Sequence, residues 1–252
     1  MHKRPRTRRT TKKFDPTEMP TNYLNLPASK LPHIPTKMDF RSSMHWRIFR
    51  IVSEFIDGFQ YLADFRKTVT VFGSTRLSES DRWYKEARKL GRMLSERGYA
   101  IVTGGGPGVM EAANRGSYEN GGKSIGINIQ LPREQRVNPY VKNSIGFHYF
   151  FTRKLMLTYS AEAYVYFPGG FGTLDEFFEI VTLIQTKKIA THIPMILVGK
   201  EYWSGLDGWL RKTVYEDLRA VDREDLRLFD IVDSAEEAFR IIRKRAKQRH
   251  EF

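Results

Sequence analysis

Ala163-Tyr-Val-Tyr-Phe-Pro-Gly-Gly-Phe-Gly-Thr-Leu-Asp-Glu-Phe-Phe-Glu179 carries an apolar strand through a glycine-rich turn directly into a helix. Gly169, Gly170 and Gly172 let backbone N–H groups approach a ligand closely, and a helix N-terminus carries partial positive charge that favours phosphate. Thr173 stands where a helix cap is expected, and Glu176 follows three residues later. Two readings fit that spacing. Thr173-Leu-Asp-Glu176 matches a capping box, in which the Glu bonds back to the cap residue. A carboxylate beside a phosphate cradle also suits chemistry on a phosphorylated small molecule. The glycines immediately before favour the second reading without removing the first.

Outward from this unit the pattern repeats. Val69-Thr-Val-Phe72 is a short apolar run ending at Gly73-Ser74, and Asp81 to Arg97 has helical spacing with Gly98 as its stop. Tyr99 to Thr103 predicts a second strand, closed by Gly104-Gly-Gly-Pro-Gly108, with Pro107 at the start of the next helix. Ser124–Ile129 predicts a third strand, followed by a loop holding Pro132 and Pro139 and a helix at roughly 152–160. The strand at 163–167 leads to a helix over 174–187, then to a strand Ile193–Val198 and helical segments near 203–215 and 234–248. Alternation of this kind means a doubly wound α/β fold, a parallel sheet with helices on both faces. Ligands then belong at the carboxyl ends of the strands, where the glycine turns fall.

Ahead of this domain, residues 1–13 hold seven Lys or Arg and no acid, and 14–37 contain five prolines. They read as a disordered basic arm and an extended tether. Within 38–65, Trp46, Phe49, Val52, Phe55, Ile56, Phe59 and Leu62 recur at helical spacing, so an amphipathic N-terminal helix precedes the main domain, 66–252. The net charge of +13 is concentrated in the arm and in six cations between Arg240 and Arg249. Nucleic acid is a partner only through these tails, against the simpler reading of solvated ends. No cysteine is present, which excludes disulfides and thiolate chemistry, and the six histidines are never three to five apart. No apolar run reaches the ~18 residues of a membrane span and no signal-peptide core follows the basic start, so a soluble, cytoplasmic protein is expected.

Gly104, Gly105 and Gly106 invite a dinucleotide reading, which fails because Val109 or Glu111 occupies the third glycine position. Gly122-Lys123-Ser124 resembles the end of a P-loop, but Ser117 stands at its first glycine. The turn still permits close backbone approach to a ligand, or tight strand–helix packing. Arg153 and Lys154 follow Thr152, a candidate cap, which puts two cations in a first helical turn against the dipole. An anion nearby, a phosphate or Glu176, would relieve that; a boundary placed elsewhere would as well.

Arg153-Lys154 followed by Pro168-Gly-Gly-Phe-Gly-Thr-Leu-Asp-Glu176 resembles the paired RK and PGGxGTxxE motifs of the "Lonely Guy" (LOG) family. These are cytokinin riboside 5′-monophosphate phosphoribohydrolases, long labelled lysine decarboxylases. Val71-Phe-Gly-Ser74 and Thr103-Gly-Gly-Gly-Pro-Gly-Val-Met110 are similar to the family's other two ligand turns, and Gly108-Val-Met-Glu-Ala-Ala-Asn114 with the N-terminal helix resembles its long bacterial branch. The likeness covers roughly 66–245. Phe150-Phe151-Thr152 stands where the family usually has Met-His before its Arg, a departure that bears on the preferred base.

The resemblance implies a Rossmann-like sheet and hydrolysis of a nucleoside 5′-monophosphate to free base and ribose 5-phosphate. It implies Glu176 and Arg153 as catalytic residues. Gly73, Ser74, Gly104, Gly105, Gly106, Lys154, Gly169, Gly170, Gly172, Thr173 and Asp175 are expected at the substrate and its phosphate, and Glu134 near the base. No metal or redox cofactor is required, and a homo-oligomer, a dimer or larger, is implied. The alternative is a non-catalytic protein that binds or carries a nucleotide or molybdenum cofactor. Lysine decarboxylation has no support, since no lysine stands in a Schiff-base context.

Overall fold

The computed structural model describes residues 43–130, 137–159, 161–190 and 192–249. Two compact units meet at Arg47 and Ile48. Of the first, the described part is 43–47, where the Trp46 N–H donates to Ser43 Oγ at 3.2 Å. The second holds the sheet.

Helix α1 (Met44–Ala63) leads into β1 (Thr68–Phe72), α2 (Arg82–Ser95), β2 (Ala100–Thr103), α3 (Val109–Glu119), β3 (Ser124–Ile129) and β4 (Asn143–Phe147). Then come α4 (Phe150–Tyr159), β5 (Ala161–Tyr166), α5 (Phe171–Gln185), β6 (Met195–Val198) and α6 (Lys200–Trp209), continued by a π-helical stretch (Leu210–Asp217). A short turn of helix (Asp225–Arg227), β7 (Asp230–Val232) and α7 (Ala235–Arg249) complete the order. All seven strands are parallel, in the order β4-β3-β2-β1-β5-β6-β7. Winding proceeds outward from β1 to β4 and then resumes on the other side with β5, so the switch point lies between β1 and β5.

Period-two alternation sends successive strand residues to two separate cores. Val69, Val71, Ile101, Ala163, Val165 and Ile196 pack with Leu90, Leu94, Ala112 and Phe239 of α2, α3 and α7. Phe72, Val102, Ile125, Ile127, Tyr164, Tyr166 and Leu197 pack on the opposite face with Leu62, Met156, Leu157, Phe177 and Trp203. Strands buried on both faces read as continuous apolar runs, which is why the alternation was legible. Two strands escaped it. β4 is an edge strand, Asn-Ser-Ile-Gly-Phe, whose first residues are largely exposed, and β7 has three residues on the other edge. With a neighbour on one side only, neither needs a hydrophobic run.

Three helix starts differ from the sequence reading. α3 begins at Val109 behind Gly108 (φ +71°), so Pro107 lies before the helix and not in its first turn. α4 begins at Phe150, and Thr152 is a fully buried interior residue rather than its cap. α5 begins at Phe171 with Gly170 as N-cap, which makes Thr173 the third helical residue. The Thr173–Glu176 capping box is therefore absent; the glycines let the chain enter the helix three residues sooner. α1 is amphipathic as expected, yet Phe49, Val52 and Ile56 stay exposed while Leu62 joins the core. Among the described residues no helix is long and apolar enough to cross a membrane.

Candidate functional site

A cleft of about 1250 Å³ opens at the carboxyl ends of β1, β2, β3 and β5, over the switch point. Gly73 and Ser74 enter it from β1, Gly104 to Gly106 from β2, Asn128 from β3, and Gly169, Gly170, Gly172 and Thr173 from the turn after β5. Arg153 and Glu176 join the lining from α4 and α5, with Arg76, Met110 and Tyr202 among the others. Thus residues more than a hundred positions apart converge on one cavity. Glu134 lies outside the described residues.

The three turns are tied to one another through backbone. The Ser74 N–H donates to Pro168 O at 3.0 Å, and the Val109 N–H donates to Ser74 O at 2.9 Å. Behind the second turn, Thr103 Oγ1 donates to Asn114 Oδ1 (2.6 Å) and accepts from the Gly105 N–H (2.9 Å). Asn138 Nδ2 donates to both Gly106 O and Asn114 Oδ1 at 3.0 Å. A buried network this fully paired fixes the loop's shape. Two of its glycines are required by close approach: a Cβ on Gly104 would meet the Arg153 guanidinium, and one on Gly105 (φ +73°) would meet Asn128 Oδ1. Gly170 and Gly172, by contrast, face open space.

No side chain caps the N-terminus of α5. The N–H groups of its first turn have no intrahelical acceptor, so the turn over Gly170–Thr173 presents donors and a positive dipole end to the cleft. Thr173 packs against Gly169 instead of capping. The Tyr202 hydroxyl donates to Gly169 O at 2.5 Å and so pins the turn from α6.

Arg153 Nε donates to Ile127 O at 2.8 Å, which lays its guanidinium beneath the β2 turn. Burial lowers its pKa, and the Glu176 charge opposes that shift. For Glu176, burial pushes the carboxyl up to about 7; Arg153 and Lys154 draw it down, and Asp175 and Glu179 add to the rise. The Arg153–Glu176 interaction is coulombic, without a contact ion pair. Beneath them the buried Tyr166 hydroxyl donates to the Glu176 backbone carbonyl at 3.3 Å, and its ring stacks on Phe72 at 5.0 Å. A partly desolvated carboxylate is thus held beside a cation and an anion-attracting helix end.

Lys154 and Asp175 are not in the cleft lining. Lys154 Nζ pairs with Asp175 at 2.8 Å and Glu179 at 3.0 Å, and these acids hold the ammonium above its ordinary range despite burial. The two expected binding residues therefore bind each other and clamp α4 to α5. Nor does the first turn of α4 need a phosphate, since the Glu54 carboxylate lies at its N-terminus. Tyr202, Asn128 and Glu54 were not found from the sequence. Asn128 is buried at the end of β3, a position the strand-end rule singles out; Tyr202 and Glu54 carry no local signal.

The model of a family described as "possible lysine decarboxylase" matches residues 110–242. The chain belongs to this family, the LOG family. A rice (Oryza sativa subsp. japonica) protein named "probable cytokinin riboside 5′-monophosphate phosphoribohydrolase" is 31% identical over 154 residues, 60% of this LOG-family chain and 61% of that protein. The pyrimidine/purine nucleotide 5′-monophosphate nucleosidase of Escherichia coli K12 is 27% identical over 190 residues, 70% of this chain and 40% of that one. The chain thus spans less than two thirds of the length of either relative. A molybdenum cofactor carrier protein from Chlamydomonas reinhardtii shares the fold, with a TM-score of 0.55 at 21% identity over 72% of this chain and 99% of that one. The chain shares its Rossmann-like α/β architecture with that carrier protein.

The raised Glu176 carboxyl gives a pH expectation with a definite sign. If the ionised form acts, kcat/KM should rise with pH through about 7 and level above it. The same group affects stability oppositely: its folded pKa exceeds its unfolded value of 4.5, so its contribution is full below about 4.5 and lost as pH rises through about 7. A profile of kcat/KM from about pH 5 to about pH 9 that is flat would remove Glu176 from the reaction.

Proposed function

We propose that the protein hydrolyses the N-glycosidic bond of nucleoside 5′-monophosphates, giving free base and ribose 5-phosphate. The observation that carries this reading is Glu176: a half-buried carboxyl, its pKa raised to about 7, that shares its cleft with the uncapped N-terminus of α5. Breaking the bond at C1′ develops oxocarbenium character, which a carboxylate in a partly desolvated cleft stabilises while orienting water. The Gly169–Thr173 turn receives the 5′-phosphate through backbone N–H groups, and Ser74 reaches it from the β1 side. Arg153 neighbours both the β2 turn and Glu176, and its charge favours the ionised carboxylate against the larger effect of burial. The names of the rice and Escherichia coli relatives support the same substrate class.

Incubation with AMP, GMP, CMP and UMP, with chromatographic detection of free base and ribose 5-phosphate, tests the reading. Release of at least one base is expected, with equimolar ribose 5-phosphate. Tight nucleotide binding without release from any of the four would sink it in favour of a carrier.

A further inference from the structure

The N-terminal helix lies outside the cleft lining but bears on α4, the helix that carries Arg153, through a carboxylate. Glu54 lies on α1 one turn before Gly58, on the same face of the helix. That face meets α4 closely, since a Cβ on Gly58 would run into Met156 and Phe147. At this contact the Glu54 carboxylate accepts from three donors at the start of α4: the His148 N–H (2.7 Å), the Tyr149 N–H (3.3 Å) and Thr152 Oγ1 (2.6 Å). Thr152 shares its proton with Tyr149 O at 2.8 Å, so its buried hydroxyl joins the two ends of the turn. The arrangement does the work of a capping box, with the carboxylate supplied by another helix. It also places negative charge at a helix N-terminus, where the dipole favours it.

Arg153 is the next residue. Its Nε is fixed to Ile127 O, and its guanidinium lies where a Gly104 Cβ would otherwise be, which leaves little room for error. The first turn of a helix frays most readily because its N–H groups lack intrahelical partners. Without Glu54, α1 would hold α4 by apolar packing alone, Phe55 on Phe151 (ring centroids 6.4 Å apart), Phe59 on Tyr159 (4.7 Å) and Gly58 on Met156, none of which pairs with the N–H groups of its first turn.

We propose that Glu54 is a positioning residue for the reaction: it caps α4 from α1 and thereby sets Arg153 against Glu176 and the β2 turn. The role rests on the base-release reading above. It gives α1 a function in turnover besides packing, and it uses Thr152, which follows Phe150-Phe151 in place of the usual family residues.

Steady-state kinetics on the best nucleotide of the panel, with the full chain, distinguish this from simple packing. Glu54→Ala is expected to lower kcat roughly ten- to hundredfold, the loss typical of a reacting group displaced by about 1 Å. KM should change little, because the phosphate turn sits on α5. Glu54→Gln, which keeps one acceptor, should be intermediate. The double variant Glu54→Ala/Arg153→Ala should be no slower than Arg153→Ala alone, since a residue acting through Arg153 has nothing further to lose. Hydrogen exchange over residues 148–153 should quicken in Glu54→Ala. Leu62→Ala, which weakens the packing of α1, should lower Tm without a comparable loss of kcat. If Glu54→Ala does not fold, Thr152→Val removes the hydroxyl while keeping the shape, and the same cycle is run with it. Wild-type kcat in the variant, or losses that multiply in the double variant, would overturn the positioning role while the base-release reading stands. A wild-type chain that releases no base overturns both.

Discussion

Glu176→Gln is expected to lower base release at least about a hundredfold while the protein folds normally. The substitution keeps size and hydrogen-bonding shape and removes the charge that would face the developing oxocarbenium ion. Loss of one preorganised electrostatic group of this kind costs about 2.7–4 kcal/mol, or a factor of about 10²–10³ in rate. Stability should move the other way. Burial raises the Glu176 pKa to about 7, so at pH 8 the folded protein holds an ionised carboxylate at a cost that a neutral amide does not incur. Tm at pH 8 should therefore be equal to or above that of the wild type, and the gap should narrow toward pH 5, where the carboxyl is protonated. No helix cap is lost, because Glu176 lies in the second turn of α5, well past the Gly170 N-cap. A variant with wild-type turnover would end the assignment, and one that lost Tm at pH 8 would make Glu176 a structural residue.

That expectation depends on a feature the sequence hid. Thr173-Leu-Asp-Glu176 has the spacing of a capping box, and nothing local contradicts it. What decides is how early Gly169 and Gly170 let the chain enter the helix, a property of the turn's packing against β1 and Tyr202. The strands β1, β2, β3, β5 and β6 were legible because burial on both faces demands apolar runs, while β4 and β7, at the edges, were not. In the site, the glycine turns could be read because strand ends in a doubly wound sheet must converge. The dipole argument for Arg153 and Lys154 assumed a helix start at Thr152; α4 begins at Phe150, so both cations lie further along the helix, where Glu176 acts on Arg153 and Asp175 and Glu179 pair with Lys154. The α4 N-terminus itself is met by Glu54, 94 to 98 residues from the groups it accepts from, a separation that no spacing rule spans. Lys154 and Asp175 carried the right charges for a ligand, yet each satisfies the other.

AMP should be cleaved with a kcat/KM at least about a hundredfold above that of adenosine. The first turn of α5 has no protein cap, and Gly170 and Gly172 leave its approach open. A 5′-phosphate would take two or three N–H donors there, as hydrogen bonds to a charged group worth about 1.5–3 kcal/mol each. Even two such bonds at the lower value give about 3 kcal/mol, more than a hundredfold. The loss should fall on kcat as well as on KM. The phosphate is remote from C1′, and its binding energy orients the ribose against Glu176 and offsets the desolvation of that carboxylate. Ribose 5-phosphate should accordingly inhibit AMP cleavage competitively, whereas ribose should not at the same concentration. Measuring base release from AMP and adenosine over a range of concentrations, with both sugars as inhibitors, separates the two parameters. Equal kcat/KM for AMP and adenosine would mean that the α5 turn receives no phosphate, and the cleft would have to bind its substrate through Arg153 and the β2 turn alone.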